Sequence, residues 1–217
     1  MSIRIVLADD HTIVRQGLSQ AIEQEEDMEV VGQAKDGLGT VELVRKLTPD
    51  IVIMDISMPD LNGIEATRQI RQEGDGVKVI ALSMHSSKRF VTEMLKVGAT
   101  GYLLKDCDYD ELARAIRTVA EGKTYLSPSI SDVIVEDMIR DNREDQSTAF
   151  AILTPREREV LQLMAEGNTT KQIGLRLHIS PKTVEAHRLR VMNKLDIDNV
   201  AQLTKYAIQE GLTSPQP

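Results

Sequence analysis

The sequence predicts an α/β protein: a (βα)5 doubly wound parallel-sheet domain, then a small all-α domain of four helices built around a helix-turn-helix. Three observations predict it. Short apolar runs alternate five times with stretches of helical periodicity between residues 3 and 119. From residue 150 onward, apolar residues recur only at helical spacing. The charge changes in the same place: residues 150–217 carry 9 Lys and Arg against 7 Asp and Glu, while the rest carry 17 against 27. The formal net charge of -8 therefore hides a second part that repels nucleic acid far less than the first. This asymmetry favours two domains with different partners. With Gly122 ending the last helix of the first part and a polar connector at 141–148, the expected division is a first domain over 1–121, a linker with a short helix over 122–149, and a second domain over 150–217.

In order, residues 3–8 read as a strand with Asp9 and Asp10 at its end, and Val14, Leu18, Ala21 and Ile22 mark a helix. Residues 28–34 form the second strand, and Val41, Leu43, Val44 and Leu47 the second helix. Ile51-Val52-Ile53-Met54 is too short and too uniformly apolar for a surface helix and suits a strand buried on both faces. Asp55 follows it, and Pro59 helps end the regular structure. Asn62 caps a helix through Ile64, Thr67, Arg68 and Ile70. Residues 77–82 form a fourth strand ending at Ser83, followed by a helix near 87–97. Gly98, Ala99 and Gly101 turn the chain into the strand Tyr102-Leu103-Leu104, with Lys105 at its end, and Leu112, Ala115, Ile116 and Val119 define the last helix. In the linker, 125–128 is an extended segment and turn, a short helix covers about 129–140 with Val133, Ile134 and Met138 available for packing, and 141–148 is a polar connector.

Composition excludes several functions. With aromatics at 3% and no Trp, stacking platforms for single-stranded nucleic acid are not expected. A single cysteine, Cys107, excludes an internal disulfide and a multi-cysteine metal site, and fits a cytoplasmic location. The first residues lack a signal-peptide pattern, and no apolar run approaches the ~18 residues of a membrane span.

Alternating strands and helices make a parallel sheet, and right-handed crossovers bring the carboxyl ends of its strands to one edge. Asp9, Asp10, Asp55, Ser83 and Lys105 arrive there from four strands. Polar residues often end strands, so each alone is unremarkable; three acids, a hydroxyl and an ammonium together are harder to dismiss. Neighbouring carboxylates resist joint ionisation unless cations compensate them. Lys105 is one such cation, and Mg²⁺, which takes carboxylate and water oxygens, is the natural second. Asp55 can then act as a nucleophile toward phosphorus, with Lys105 and the metal neutralising the phosphoryl oxygens and Ser83 bonding one of them.

Asp9-Asp10, Asp55-Ile-Ser-Met-Pro-Asp-Leu-Asn-Gly63, Ala81-Leu-Ser83 and Gly101-Tyr-Leu-Leu-Lys105 resemble the receiver domain of two-component response regulators over residues 1 to about 121. The resemblance implies that a sensor histidine kinase phosphorylates Asp55. It implies a Mg²⁺ site of Asp10, Asp55 and the Ser57 carbonyl supported by Asp9, and a switch pair of Ser83 and Tyr102. Ser57 and His85 occupy positions that tune hydrolysis in this family. His85 reads equally well as a solvated loop residue.

In the second part, Thr154-Pro155-Arg156-Glu157 is a helix start, with Val160, Leu161, Leu163 and Met164 as the apolar face. A short helix with Ile173, Leu175 and Leu177 follows. Ser180-Pro181 then opens a third helix with Val184, Val191 and Leu195 inward, and a fourth lies near 199–210. Lys182, Glu185, Ala186 and Leu189 share another face of the third helix, flanked by Arg188, Arg190 and Lys194. Such a stripe suits the major groove, and it equally describes a solvated helix face. Thr154-Pro-Arg-Glu-Arg-Glu-Val-Leu161, Ala165-Glu-Gly167, Lys171-Gln-Ile173 and Ile179-Ser-Pro-Lys-Thr-Val-Glu-Ala-His187 resemble the LuxR-type DNA-binding domain. Joined to a receiver, that makes the NarL/FixJ class. Lys182, Thr183, Glu185, Ala186, Arg188, Leu189, Arg190 and Lys194 are the expected DNA-facing residues. By position Glu185, Ala186 and Leu189 are the base readers. Glu185 can accept from a cytosine amino group, and Ala186 or Leu189 can touch a thymine methyl. Leu189 departs from the Lys or polar residue common at its position. In this family the fourth helix can dimerise the DNA-bound form. With Val200, Leu203 and Ala207 expected inward, Ala201, Lys205 and Ile208 are left for an interface.

The reading is a cytoplasmic transcription regulator with a sensor histidine kinase, promoter DNA and a second copy of itself as partners, and no membrane partner. It is not expected to be a dedicated enzyme. The rivals are a phosphohydrolase using Asp55 as nucleophile and a signalling module that binds protein rather than DNA.

Overall fold

The structure, a computed structural model, describes residues 2–74, 76–139 and 148–213. It divides into two compact units, one of Met1–Met58 with Asn62–Asn142 and one of Pro59–Leu61 with Arg143–Pro217.

In the first unit, strands β1 (Ile3–Ala8), β2 (Met28–Ala34), β3 (Ile51–Met54), β4 (Lys78–Ser83) and β5 (Gly101–Leu104) alternate with helices α1 (Thr12–Ile22), α2 (Gly37–Leu47), α3 (Gly63–Glu73), α4 (Lys88–Lys96) and α5 (Tyr109–Ala120). All the strands pair in parallel, in the order β2-β1-β3-β4-β5, so the order reverses beside β1. The cleft at the carboxyl ends beside such a reversal is where open sheets place their ligands. All four residues of β3 are buried, as its uninterrupted apolar run requires. On one face Ile5, Leu7, Ile53, Ile80 and Leu103 pack with Ile22 of α1 and Leu112, Ile116 and Val119 of α5. Asn62 caps α3, accepting from the Glu65 amide at 3.0 Å, as its position predicts.

Beyond the five expected strands there is a sixth, β6 (Tyr125–Leu126), parallel to β5 in the register Tyr102↔Leu126. Two residues are too few to show a period, and the pairing partner is more than twenty residues away in sequence. Helix α6 (Pro128–Ile139) follows and packs against α4, with Ile130 fully buried. The expected packing of Val133 and Met138 falls outside the described residues, as does the connector except Thr148.

The second unit contains α7 (Ala149–Ile152), α8 (Pro155–Ala165), α9 (Thr170–Arg176), α10 (Pro181–Leu195) and α11 (Val200–Gln209). The single turn α7 was not foreseen; the other four match the reading. Val160, Leu161, Leu163, Ile173, Val184, Val191, Leu203 and Ala207 form the core. Val200, expected inward, is 42% exposed, and Leu175 on α9 is 68% exposed. Both sit on short helices, where one turn more or less of an apolar stripe decides which way it faces.

Helix α8 starts with a complete capping box, in which the Glu157 carboxylate accepts from the Thr154 amide at 2.8 Å. Lys194 from α10 adds a contact at 2.7 Å. Burial pushes the Glu157 carboxyl up, but Lys194 and the cap outweigh it and hold it below the usual range. A lowered native pKa gives stability that is present above the ordinary value of 4.5 and lost as pH falls through the native value. Glu157→Gln is therefore expected to cost about 1 kcal/mol at pH 7 and progressively less below pH 4.5. Urea midpoints at both pH values check this; an equal deficit at both would remove the charge from the account.

Candidate functional site

The residues expected at the carboxyl edge of the sheet are brought together. Asp55 leaves β3 with 3% exposure, held by its amide, which donates to the Ala8 carbonyl at 2.8 Å. Lys105, at the end of β5, reaches back so that Nζ lies 2.9 Å from Asp55 Oδ2 and 2.8 Å from Asp9 Oδ2. Ligand atoms of Asp9, Asp10, His11 and Asp55 all lie within 4.8 Å of one another. Burial raises the Asp55 pKa and Asp9 adds to it, with Lys105 opposing. Burial disfavours the Lys105 charge, but the carboxylates outweigh it and its pKa is raised. Lys105 is thus a fixed cation beside a carboxylate that is poorly compensated.

The donor set fits a hard divalent cation. Asp9 Oδ2 and Asp10 Oδ1 are buried without a hydrogen bond. Lys105 Nζ and His11 Nδ1 each come to 2.8 Å of them, and a carboxylate oxygen with one such neighbour keeps a further lone pair. Buried carboxylate oxygens with unused acceptor capacity, opening on a cleft, are what a Mg²⁺ coordination shell needs.

On the other side of Asp55, Ser83 and Tyr102 are fully buried. Ser83 Oγ accepts from the His85 amide at 3.0 Å, and the Tyr102 hydroxyl donates to the His85 carbonyl at 2.6 Å. Burial pushes the Tyr102 phenol up to about 12, so it stays a donor. The His85 ring stacks on Phe90 with centroids 4.4 Å apart, and its Nε2 lies 3.1 Å from Ser57 Oγ. Burial, then Arg89 and Lys105, lower the His85 pKa and favour neutral imidazole. The ring is half-buried and engaged, so the solvated-loop alternative does not describe it.

In the second unit, Lys182, Thr183, Glu185, Ala186, Leu189 and Arg190 are exposed along α10, while Arg188 is half-buried. Leu189 is 61% exposed. Lys194 is also exposed, but its ammonium is held by Glu157 and the Ile152 carbonyl. His187 is half-buried with its Nδ1 enclosed and unbonded, which suits packing. On α11, Ala201, Lys205 and Ile208 face outward, with Leu203 and Ala207 inward.

Residues 5–117 match the response regulator receiver domain, and residues 151–207 match the bacterial regulatory proteins of the luxR family. The chain belongs to the NarL/FixJ class of response regulators. The transcriptional regulatory protein DegU of Brevibacillus brevis is 40% identical over 222 residues, covering 96% of this chain and 94% of that protein. The oxygen regulatory protein NreC of Staphylococcus epidermidis (strain ATCC 12228 / FDA PCI 1200) is 38% identical over 215 residues, covering 97% and 99%. Among solved structures, a LuxR-family two-component response regulator from Aurantimonas sp. SI85-9A1 superimposes with a TM-score of 0.62 at 39% identity, covering 64% of this chain and 99% of that one. The RcsB–DNA complex gives 0.60 at 28% identity, covering 97% and 99%.

This response regulator is accordingly a transcription regulator that joins a receiver to a LuxR-type DNA-binding domain. No helix among its described residues is long and apolar enough to cross a membrane. Two residues near the sites were missed in the sequence. His11 had a signal, since it directly follows the acidic pair. Thr170 had none: its partner Glu185 lies fifteen positions away on another helix.

Proposed function

We propose that Asp55 is the phosphoryl acceptor of this regulator and that the modified receiver promotes dimeric binding of α10 to promoter DNA. The observation that carries the reading is the enclosure of Asp55 by Lys105 and by the Asp9, Asp10 and His11 donors. An Asp55 oxygen forms the new bond to phosphorus as the bond from phosphorus to the nitrogen of a kinase phosphohistidine breaks. Lys105 holds the charge of the incoming phosphoryl oxygens. Asp10, Asp55 and the Ser57 carbonyl would hold Mg²⁺, with Asp9 in support; when bound it supplies further charge neutralisation. Ser83 then gives up the His85 amide to bond the phosphoryl group. That loosens the segment Tyr102 holds at its other end, and the two states differ in their affinity for phosphate. In the second domain Lys182, Arg188 and Arg190 meet phosphates while Glu185, Ala186 and Leu189 face base edges. Ala201, Lys205 and Ile208 supply the contact between copies.

The test is promoter binding measured before and after treatment with a small phosphodonor and Mg²⁺ across a range of salt. Tighter, sequence-selective and salt-dependent binding after treatment is expected. Equal binding to all sequences in both states would end the reading. With its Nε2 3.1 Å from Ser57 Oγ, two residues past Asp55, the His85 ring would shield the acyl phosphate from water. His85→Ala should therefore shorten the adduct's lifetime severalfold, read by loss of the phosphorylated mass with time; an unchanged lifetime would leave the ring a packing role only.

A further inference from the structure

Glu185 is not free to sample rotamers on its exposed face. Thr170 Oγ1, in the first turn of α9, donates to Glu185 Oε1 at 2.6 Å. That is the distance of a charge-assisted O–H···O⁻ bond, about twice as strong as a neutral one. It joins the two helices of the helix-turn-helix on the side where α10 shows Lys182, Ala186 and Leu189.

We propose that Thr170 is a positioning residue that makes Glu185 a cytosine reader, an inference that rests on α10 being the DNA-facing helix. The remaining valences of the carboxylate decide what it reads. The Thr170 proton is committed to Oε1, so Oε2 is left as a bare anionic acceptor in a fixed direction. In the major groove guanine offers only acceptors and thymine an acceptor beside its methyl group. Adenine offers a donor next to an acceptor, and only cytosine offers an amino donor without a neighbouring acceptor on the same base. A carboxylate held still rewards that pattern and is repelled by the others. A mobile one could turn away from the wrong base, and discrimination would fall. Leu189 lies one turn further along the same face and is 61% exposed, an apolar surface that suits a thymine methyl. The half-site selected should therefore contain a cytosine at the Glu185 position with a thymine close by.

The experiment uses the full chain treated with phosphodonor and Mg²⁺. Duplexes are selected from a random pool, and binding is then measured on the selected site and its single-base variants. Wild type should prefer cytosine at one position by about tenfold or more. Thr170→Val, which removes the hydroxyl at constant shape, should cut that preference severalfold. Preferences elsewhere and the salt dependence should not change. Thr170→Ser should restore the preference. Glu185→Ala should abolish it, and Thr170→Val should then change nothing more. A Thr170→Val protein with undiminished cytosine preference overturns the inference, as does one that loses affinity equally for every sequence. Selection of sequences to which Glu185→Ala is indifferent overturns it too, while leaving DNA binding by this domain intact. No selected sequence for wild type removes the underlying reading as well.

Discussion

Asp55→Asn is expected to take up no phosphoryl group from a small phosphodonor and Mg²⁺, and to melt a few degrees above wild type. The first effect is chemical. An amide oxygen is a poor nucleophile, and Asp9 and Asp10 project from β1 rather than from the end of β3. The second follows from burial. The native pKa of Asp55 is raised above 3.8, chiefly by burial. A raised native pKa contributes stability that is complete below 3.8 and lost as pH rises through the native value. At neutral pH the ionised side chain therefore works against the fold, and Lys105 offsets only part of this. Asparagine removes the charge while Lys105 keeps Asp9. A gain of about 1 kcal/mol corresponds to roughly 2–4 °C in a protein of this size. The gain should shrink as the pH is lowered toward 3.8. Intact-mass measurement checks the adduct, and thermal melts at several pH values check stability. An adduct that survives in Asp55→Asn would move the acceptor elsewhere. A melting temperature that falls would mean that the Lys105 pair outweighs desolvation. The site thus trades stability for reactivity, a common cost of functional positions.

How much of this was legible before any coordinates depended on the range of each interaction. Asp9, Asp10, Asp55, Ser83 and Lys105 each follow an apolar run, so strand ends could be read locally, and the rules of parallel sheets did the rest. The caps at Asn62, Thr154 and Ser180 were legible because a cap and its amide are three residues apart. What stayed hidden has no local period. Tyr125–Leu126 is legible as extended, but its membership of the sheet depends on remote Tyr102, and its two residues carry no alternation. Leu175 and Val200 are apolar but outward. Lys194 reads as a cation for phosphate until Glu157, far away in sequence, is found beside it. The half-burial of His85 likewise depends on Ser57 and Phe90, which periodicity does not connect.

Gly63 shows the same limit in its sharpest form, and Gly63→Ala should be among the most damaging single changes in the receiver. Helix α3 begins at Gly63, directly after its cap Asn62. There its amide donates to the Ile56 carbonyl at 2.8 Å. A Cβ on Gly63 would lie 2.0 Å from the Asp55 carbonyl oxygen, 2.9 Å from its carbon and 3.0 Å from Ile56 Cα. These are backbone atoms at the end of a fully buried strand, so no side chain can turn aside. Either α3 or the β3 exit must move, and the exit carries the acceptor. Overpacking of this kind typically costs 1–3 kcal/mol, and contact with backbone puts this case at about 3 kcal/mol or more. Displacing a reacting group by about 1 Å can cost on the order of 100-fold in rate. The variant is therefore expected to lose much of its stability and to phosphorylate far more slowly even well below its melting temperature. Gly17→Ala is the matching control, because nothing lies within 4 Å of a Cβ there and the position is inside α1. It should gain about 0.4–1 kcal/mol and phosphorylate as wild type does. Melting curves and phosphorylation time courses on both variants separate the two kinds of glycine. If Gly63→Ala melts and reacts like wild type, the close seat of α3 on the Asp55 backbone does not constrain the acceptor.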